Sequence, residues 1–150
     1  MIPEELKRIA AAINLDSDEQ FKLRIQFGIS CIQRVKGLLT DNQIADALSI
    51  GEKFAEGECS RDDLDNAAAL AAKAAQSHAG SGSLDGSGNA AVSVGRGVAA
   101  ALAGRALEAS EYAAYASVYA YASYAVSDLS AYVPEQEWQI TRLKELACYA

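Results

Sequence analysis

The sequence predicts an all-α protein, a single-domain bundle of about six to seven helices, closely packed through alanine and without a sheet. Three observations carry that prediction. Much of the 51% apolar content is alanine, which loses no side-chain entropy on entering a helix. Apolar residues recur at three- and four-residue spacing in one segment after another, and no segment alternates with a period of two. Capping and stop residues punctuate the chain at intervals suited to ordinary helices. At 150 residues the chain is one domain, 1–150, able to bury roughly 70% of its unfolded surface without disulfides or metals.

The elements follow in order. Pro3, Glu4 and Glu5 open a first helix, because proline is tolerated in the first turn and acids there oppose the helix dipole. Leu6, Ile9 and Ile13 form its stripe, and it ends near Asn14. Asp16 or Ser17 caps a second helix that runs to Leu39, with Phe21, Ile25, Gly28, Ile32, Val35 and Leu39 on one buried face. Thr40 or Asp41 caps a third, and Gly57 terminates it. Ser60 opens a fourth with Asp63 three residues on, the spacing of a capping box. Leu64, Ala68, Ala71 and Ala75 form its apolar side, and it fades at Ser77, His78 and Ala79.

Residues 80–88, GSGSLDGSG, are the one low-complexity stretch and read as a flexible loop. From 89 to 127 there is no proline, so the region is one long helix or two broken around Gly104 to Ala109. The Val133-Pro134 pair ends it, since a residue before proline is pushed out of the helical region. A last helix starts at Pro134 with Trp138, Ile140, Leu143 and Leu146 or Ala147 inward.

The net charge of −7 argues against nucleic acid and against an anionic membrane as partners, since both select positive surfaces. It suits solubility, and it suits a basic protein partner. MIPEELKRIA lacks the basic and apolar regions of a signal peptide, and the uncharged run 112–127 is too short and too rich in Ser and Tyr to span a bilayer. Cys31, Cys59 and Cys148 have neither disulfide-framework nor zinc spacing. They read as reduced thiols in a cytoplasmic protein.

No constellation calls for a catalytic residue, cofactor or metal. His78 is the one histidine and has no designated partner in the sequence. Cys31 lies on an apolar face and reads as packing. The glycines at 80, 82, 86 and 88 follow a helix and match no phosphate-loop spacing. The carboxylates do not form the Glu-x-x-His pairs of a di-metal bundle.

Two features stand out as candidate partner-binding surfaces. The segment 41–65 carries Asp41, Asp46, Glu52, Glu56, Glu58, Asp62, Asp63 and Asp65 against Lys53 and Arg61 alone, and so holds nearly all of the net charge. Some of these acids cap helices, and the cluster also has the charge to steer a basic partner. The second feature is EYAAYASVYAYASYAVSDLSAY. Tyr112, Tyr115 and Tyr119 share one helical face and are candidate anchors, since tyrosine is enriched at interface hot spots. Tyr121 and Tyr124 lie on another face. Occupying more than one face, most of these tyrosines are expected in a core formed against the alanine-rich stretch 67–75.

The run from 27 to 79 resembles a family of alanine-rich bacterial immunity proteins. Ser30-Cys31, Arg34, Leu38-Leu39-Thr40-Asp41, Ala47, Glu52, Phe54-Ala55, Gly57 and the alanines of 67–75 carry the resemblance, and the later Ala/Tyr region matches in composition. These are packing motifs, and no binding residues come with them. The resemblance implies an all-helical fold and a cytoplasmic, non-enzymatic protein. It implies one-to-one neutralisation of a toxin delivered between competing bacteria, such as a basic nuclease, by occlusion of its active site. Two other readings stand beside it: a scaffold that self-associates through the tyrosine face, and a small enzyme or ligand-binding bundle with a pocket near His78.

Overall fold

Residues 1–77 and 86–149 are described in the computed structural model. Among them are seven α-helices and no strand, forming a single domain: α1 (Glu4–Ala12), α2 (Phe21–Gln33), α3 (Asn42–Ala55), α4 (Arg61–Ser77), α5 (Gly86–Leu102), α6 (Ala106–Tyr121) and α7 (Val133–Ala147). Short 3-10 turns occupy Asp18–Gln20, Lys36–Leu38, Ser123–Ser127 and Leu129–Tyr132.

The helix ends are local chemistry. The Asp41 carboxylate accepts from the amides of Gln43 and Ile44 at 2.8 and 3.1 Å, capping α3. Ser60 and Asp63 bond reciprocally, each side chain accepting from the other's amide at 3.1 Å, and so open α4 as a capping box. Four helices stop in one way, with a left-handed residue after the last turn and two reversed bonds to the preceding carbonyls. Gly57 (φ 78) and Gly104 (φ 81) supply that conformation after α3 and α5, and Asn14 and Cys148 supply it after α1 and α7. After α3, for example, the Glu58 amide reaches the Lys53 carbonyl and the Gly57 amide that of Phe54. Gly104 thus separates α5 from α6.

The core is built on α2. Ile25, Phe27, Cys31 and Ile32 are fully enclosed, together with Leu6 and Ile9 of α1, Ile44 of α3, Leu64 of α4, Val94 and Val98 of α5 and Leu143 of α7. The α5–α6 pair makes the most extensive contact in the molecule. Both helices bury small residues: Ala90, Ala100 and Ala101 on α5, and Ala109, Ala113 and Ala116 on α6.

Several expectations are corrected. Helix α2 ends at Gln33, six residues before Leu39. Val35 leaves the helical region (φ −122), and Arg34 and Lys36 turn to pair with Glu135 and Glu52. Val133 is helical (φ −57, ψ −46), so Pro134 sits inside the first turn of α7, where its missing amide costs nothing. The inner face of α7 is Gln136, Gln139 and Leu143, with Trp138, Ile140, Leu146 and Ala147 half-buried. Residues 86–88 of the expected loop belong to α5, and 80–85 lie outside the described residues.

The tyrosines are corrected too. Tyr121 and Tyr124 are 93% and 87% exposed, Tyr112, Tyr115 and Tyr119 are half-buried, and only Tyr132 is buried. Ala109, Ala113, Ala114 and Ala116 take buried positions of α6, and its tyrosines are left half-buried or exposed. Helix α4 packs on α3 and α5, and α6 packs on α5 and α2, so α5 stands between the two alanine-rich elements expected to meet.

Candidate functional site

The eight acids of 41–65 fall on α3, α4 and the turn that joins them, and they divide by role. Asp41 and Asp63 cap helices. Glu52 accepts from Gln33 at 2.8 Å and pairs with Lys36 at 3.2 Å. Asp65 pairs with Arg61 one turn away at 3.1 Å. Asp46, Glu56, Glu58 and Asp62 are exposed and have no ion-pair partner among the described residues. Four of the eight carboxylates therefore have structural work, and four present charge to solvent.

Of the two cations of the segment, Arg61 is engaged elsewhere. Arg61, besides its bond to Asp65, lies over the Phe21 ring with its guanidinium carbon 3.6 Å from the centroid. Phe21 in turn meets Phe54 edge-on at 6.0 Å. This aromatic seam positions the start of α4 against α2 and α3, and so fixes where the acidic face points. Cys59 sits in the turn, half-buried, its thiol 3.5 Å from the Ile50 carbonyl. Burial first, and then the nearby Asp63 carboxylate, push that thiol above its ordinary range, away from reactive thiolate.

Between α3 and α4 lies a groove of about 340 Å3, lined in part by Ala47, Ile50, Ala67 and Leu70 and by Asp46 and Asp63. Sequence reasoning missed it. Leu70 falls among alanines and lies off the α4 inner stripe, which was the available signal, since an apolar residue there has no core to enter.

The candidate tyrosines lie elsewhere. Tyr112 and Tyr115 line a pocket of about 500 Å3 with Arg96, Glu108, Glu111 and Tyr132. The rings of Tyr115 and Tyr119 are 5.6 Å apart and inclined at 34°. The Tyr132 hydroxyl donates to the Val126 carbonyl at 2.6 Å, and burial raises its pKa. The acidic residues and the tyrosines are thus on different elements, and Asp46 and Asp63 line one pocket while Tyr112 and Tyr115 line another.

A third cluster was not foreseen. The Arg34 guanidinium stacks 4.1 Å from the centroid of Trp138 and donates to both oxygens of Glu135 at 2.6 and 3.1 Å. Arg34 and Glu135 are 101 positions apart, so no local pattern links them. Arg142 donates to the Ser30 hydroxyl beside this cluster at 3.2 Å. Each cation here is already matched, so the cluster reads as a clamp between α2 and α7.

His78 lies outside the described residues. Cys31 is enclosed, and burial drives its thiol far above the ordinary range. All three cysteines are free. Among the described residues no three His, Cys, Asp or Glu side chains converge as metal ligands, and no helix is long and apolar enough to cross a membrane.

Residues 15–146 match the family described as "Imm-5 like putative immunity protein". No curated protein and no solved structure matches the chain.

Proposed function

Because this chain belongs to the Imm-5 like immunity protein family, whose role implies a cognate toxin as partner, we propose that it neutralises a basic toxin by binding it one-to-one and covering its active site. The observation that carries the finer reading is the set of exposed carboxylates Asp46, Glu56, Glu58 and Asp62 on α3, α4 and the turn between them, which have no ion-pair partner among the described residues. A nuclease domain handles phosphates with lysine and arginine, so an acidic binder competes for the same surface. Charge complementarity speeds encounter, and buried anchors then hold the complex. The protein acts as a stoichiometric binder in the cytoplasm, where an incoming nuclease meets nucleic acid.

Growth is the direct test. The toxin encoded by the gene immediately upstream is expressed with and without this chain. Restored growth, together with co-purification of the two proteins, supports the reading. Continued killing at equal or excess levels of the chain sinks it.

A second reading is favoured by the exposed corner at the end of α6. Tyr121, Tyr124 and Leu129, at 93%, 87% and 60% exposed, lie in an almost uncharged segment where two acidic copies could meet without repulsion. Self-association through this corner predicts a dimer by sedimentation. A strict monomer at high micromolar concentration removes it.

A further inference from the structure

Helices α3 and α4 are packed together along their inner sides and leave a groove along their outer sides. Its walls are Ala47 and Ile50 of α3 and Ala67 and Leu70 of α4. Leu70 is 59% exposed, whereas Leu64, on the same helix, is fully buried. A lone exposed leucine needs no explanation. This one stands at a concave apolar surface that carboxylates also line, and that combination selects an occupant. The groove volume of about 340 Å3 is at the lower end of the roughly 300–1,000 Å3 typical of sites that enclose a guest.

We propose that this groove is the anchoring site of the toxin interface and takes an aliphatic or aromatic side chain flanked by lysine or arginine on the toxin's surface. The inference rests on the immunity reading above. Charge complementarity fixes the chemistry of the guest. An acidic segment is repelled by Asp46 and by nearby Asp62. A purely apolar segment would strip water from Asp46 and Asp63 and give nothing in return, which is costly for a carboxylate. An apolar side chain with a neighbouring cation fills the groove and pairs the carboxylates in one step. A second copy of this chain is a poor guest for the same reason, since its corresponding face carries the same carboxylates.

The two parts of the site have different kinetic signatures. Exposed charge governs the rate of encounter and its salt dependence. A desolvated apolar anchor governs how long the complex lasts.

The experiment measures association and dissociation rates with the toxin domain encoded by the adjoining gene, at low and high salt. It uses wild type, Leu70→Ser, the double variant Asp46→Asn with Asp62→Asn, and Tyr121→Ser. Leu70 is largely exposed, so its substitution leaves the fold intact, and thermal unfolding checks this. Leu70→Ser is expected to raise the dissociation rate by about tenfold or more while the association rate stays within about twofold. The double variant is expected to slow association several-fold and flatten its salt dependence, with little change in dissociation. Tyr121→Ser is expected to change neither.

If the complex forms and Leu70→Ser dissociates at the wild-type rate, the groove is not the anchor, although the immunity reading survives. If wild type does not bind at all, the immunity reading fails and the groove falls with it. A dimer of the free chain that Leu70→Ser disrupts would also overturn the proposal, because the guest would then be a second copy.

Discussion

The Gln139 side chain donates from Nε2 to the backbone carbonyl of Ser110 at 2.9 Å, and both residues are only 1% exposed. This bond ties α7 to α6. A buried amide is tolerable when it is bonded and costly when it is not. Gln139→Leu removes one hydrogen bond and leaves the Ser110 carbonyl within a continuing helix, so a loss of about 1 kcal/mol is expected. Gln139→Glu buries a charge facing a carbonyl and is expected to cost about 3 kcal/mol or more. Urea unfolding ranks the two; equal losses would mean that the site is wetter than its burial implies.

Close approach of α2 and α5 gives the next prediction. A Cβ on Gly28 would meet the Ala101 Cβ at 3.1 Å and its backbone Cα at 3.3 Å. A large side chain there must force the helices apart. Gly28→Leu is expected to lose about 2–3 kcal/mol despite its better helix propensity. Gly37, by contrast, has open space around its Cβ position. Gly37→Ala is expected to gain about 0.5 kcal/mol by restricting the unfolded chain. Thermal melts of the pair test whether packing, and not propensity, decides at these glycines.

The acidic segment separates into capping and steering residues by substitution. Ser60→Ala and Asp63→Ala each break the capping box and are expected to cost about 1 kcal/mol. Asp62→Asn touches no described partner and is expected to change stability by less than about 0.5 kcal/mol. Chemical denaturation of the three variants reads this directly. Reversing Asp62, Asp63 and Asp65 together would mix a lost cap and a lost Arg61 pair with any effect on association, so Asp46 and Asp62 are the cleaner probes of steering.

Alkaline stability follows from Cys31. Its thiol is pushed up from the ordinary 9.0 by burial, so the fold favours the neutral form. The stabilisation is complete below pH 9. It declines as pH rises past that value, because the unfolded chain then releases a proton that the folded one keeps. The slope is roughly 1.4 kcal/mol per pH unit for one such group. Wild type is therefore expected to lose stability faster than Cys31→Ala between pH 9 and pH 10.5, in urea titrations under reducing conditions. Parallel slopes for the two proteins would contradict the buried-thiol account.

Residues Asp41, Ser60, Asp63, Gly57 and Gly104 show why so much of the fold was legible. Caps and stops act within one helical turn, so a residue and its neighbours in sequence suffice to place them. The capping box forms as its spacing predicts, and of the two readings left open for 89–127 the structure has the broken one, with Gly104 at the break. Helix α2 shows where local reading runs out. Its end at Gln33 depends on Glu135 and Glu52, which compete for Arg34 and Lys36 from other helices.

The candidate site divides along the same line. The acidic character of 41–65 is a property of composition and was plain in the sequence. Which of its carboxylates are left for a partner was not, because Lys36 and Gln33, which engage Glu52, come from outside the segment. The groove at Leu70 needed α3 laid beside α4 before it existed.

By itself, the sequence determined an all-helical domain, the ends of most of its helices and the place of its charge, since propensity, capping and composition are local or additive. Only the tertiary structure decided which faces turn inward. In α6, alanine and tyrosine recur too evenly to mark one side, and packing buries most of the alanines while Tyr112, Tyr115 and Tyr119 stay half-buried and Tyr121 exposed. In α7 the same contest enclosed Gln139 and left Trp138 half-buried beneath Arg34. Burial is set by the shape of the neighbouring helix, and no residue carries that information alone.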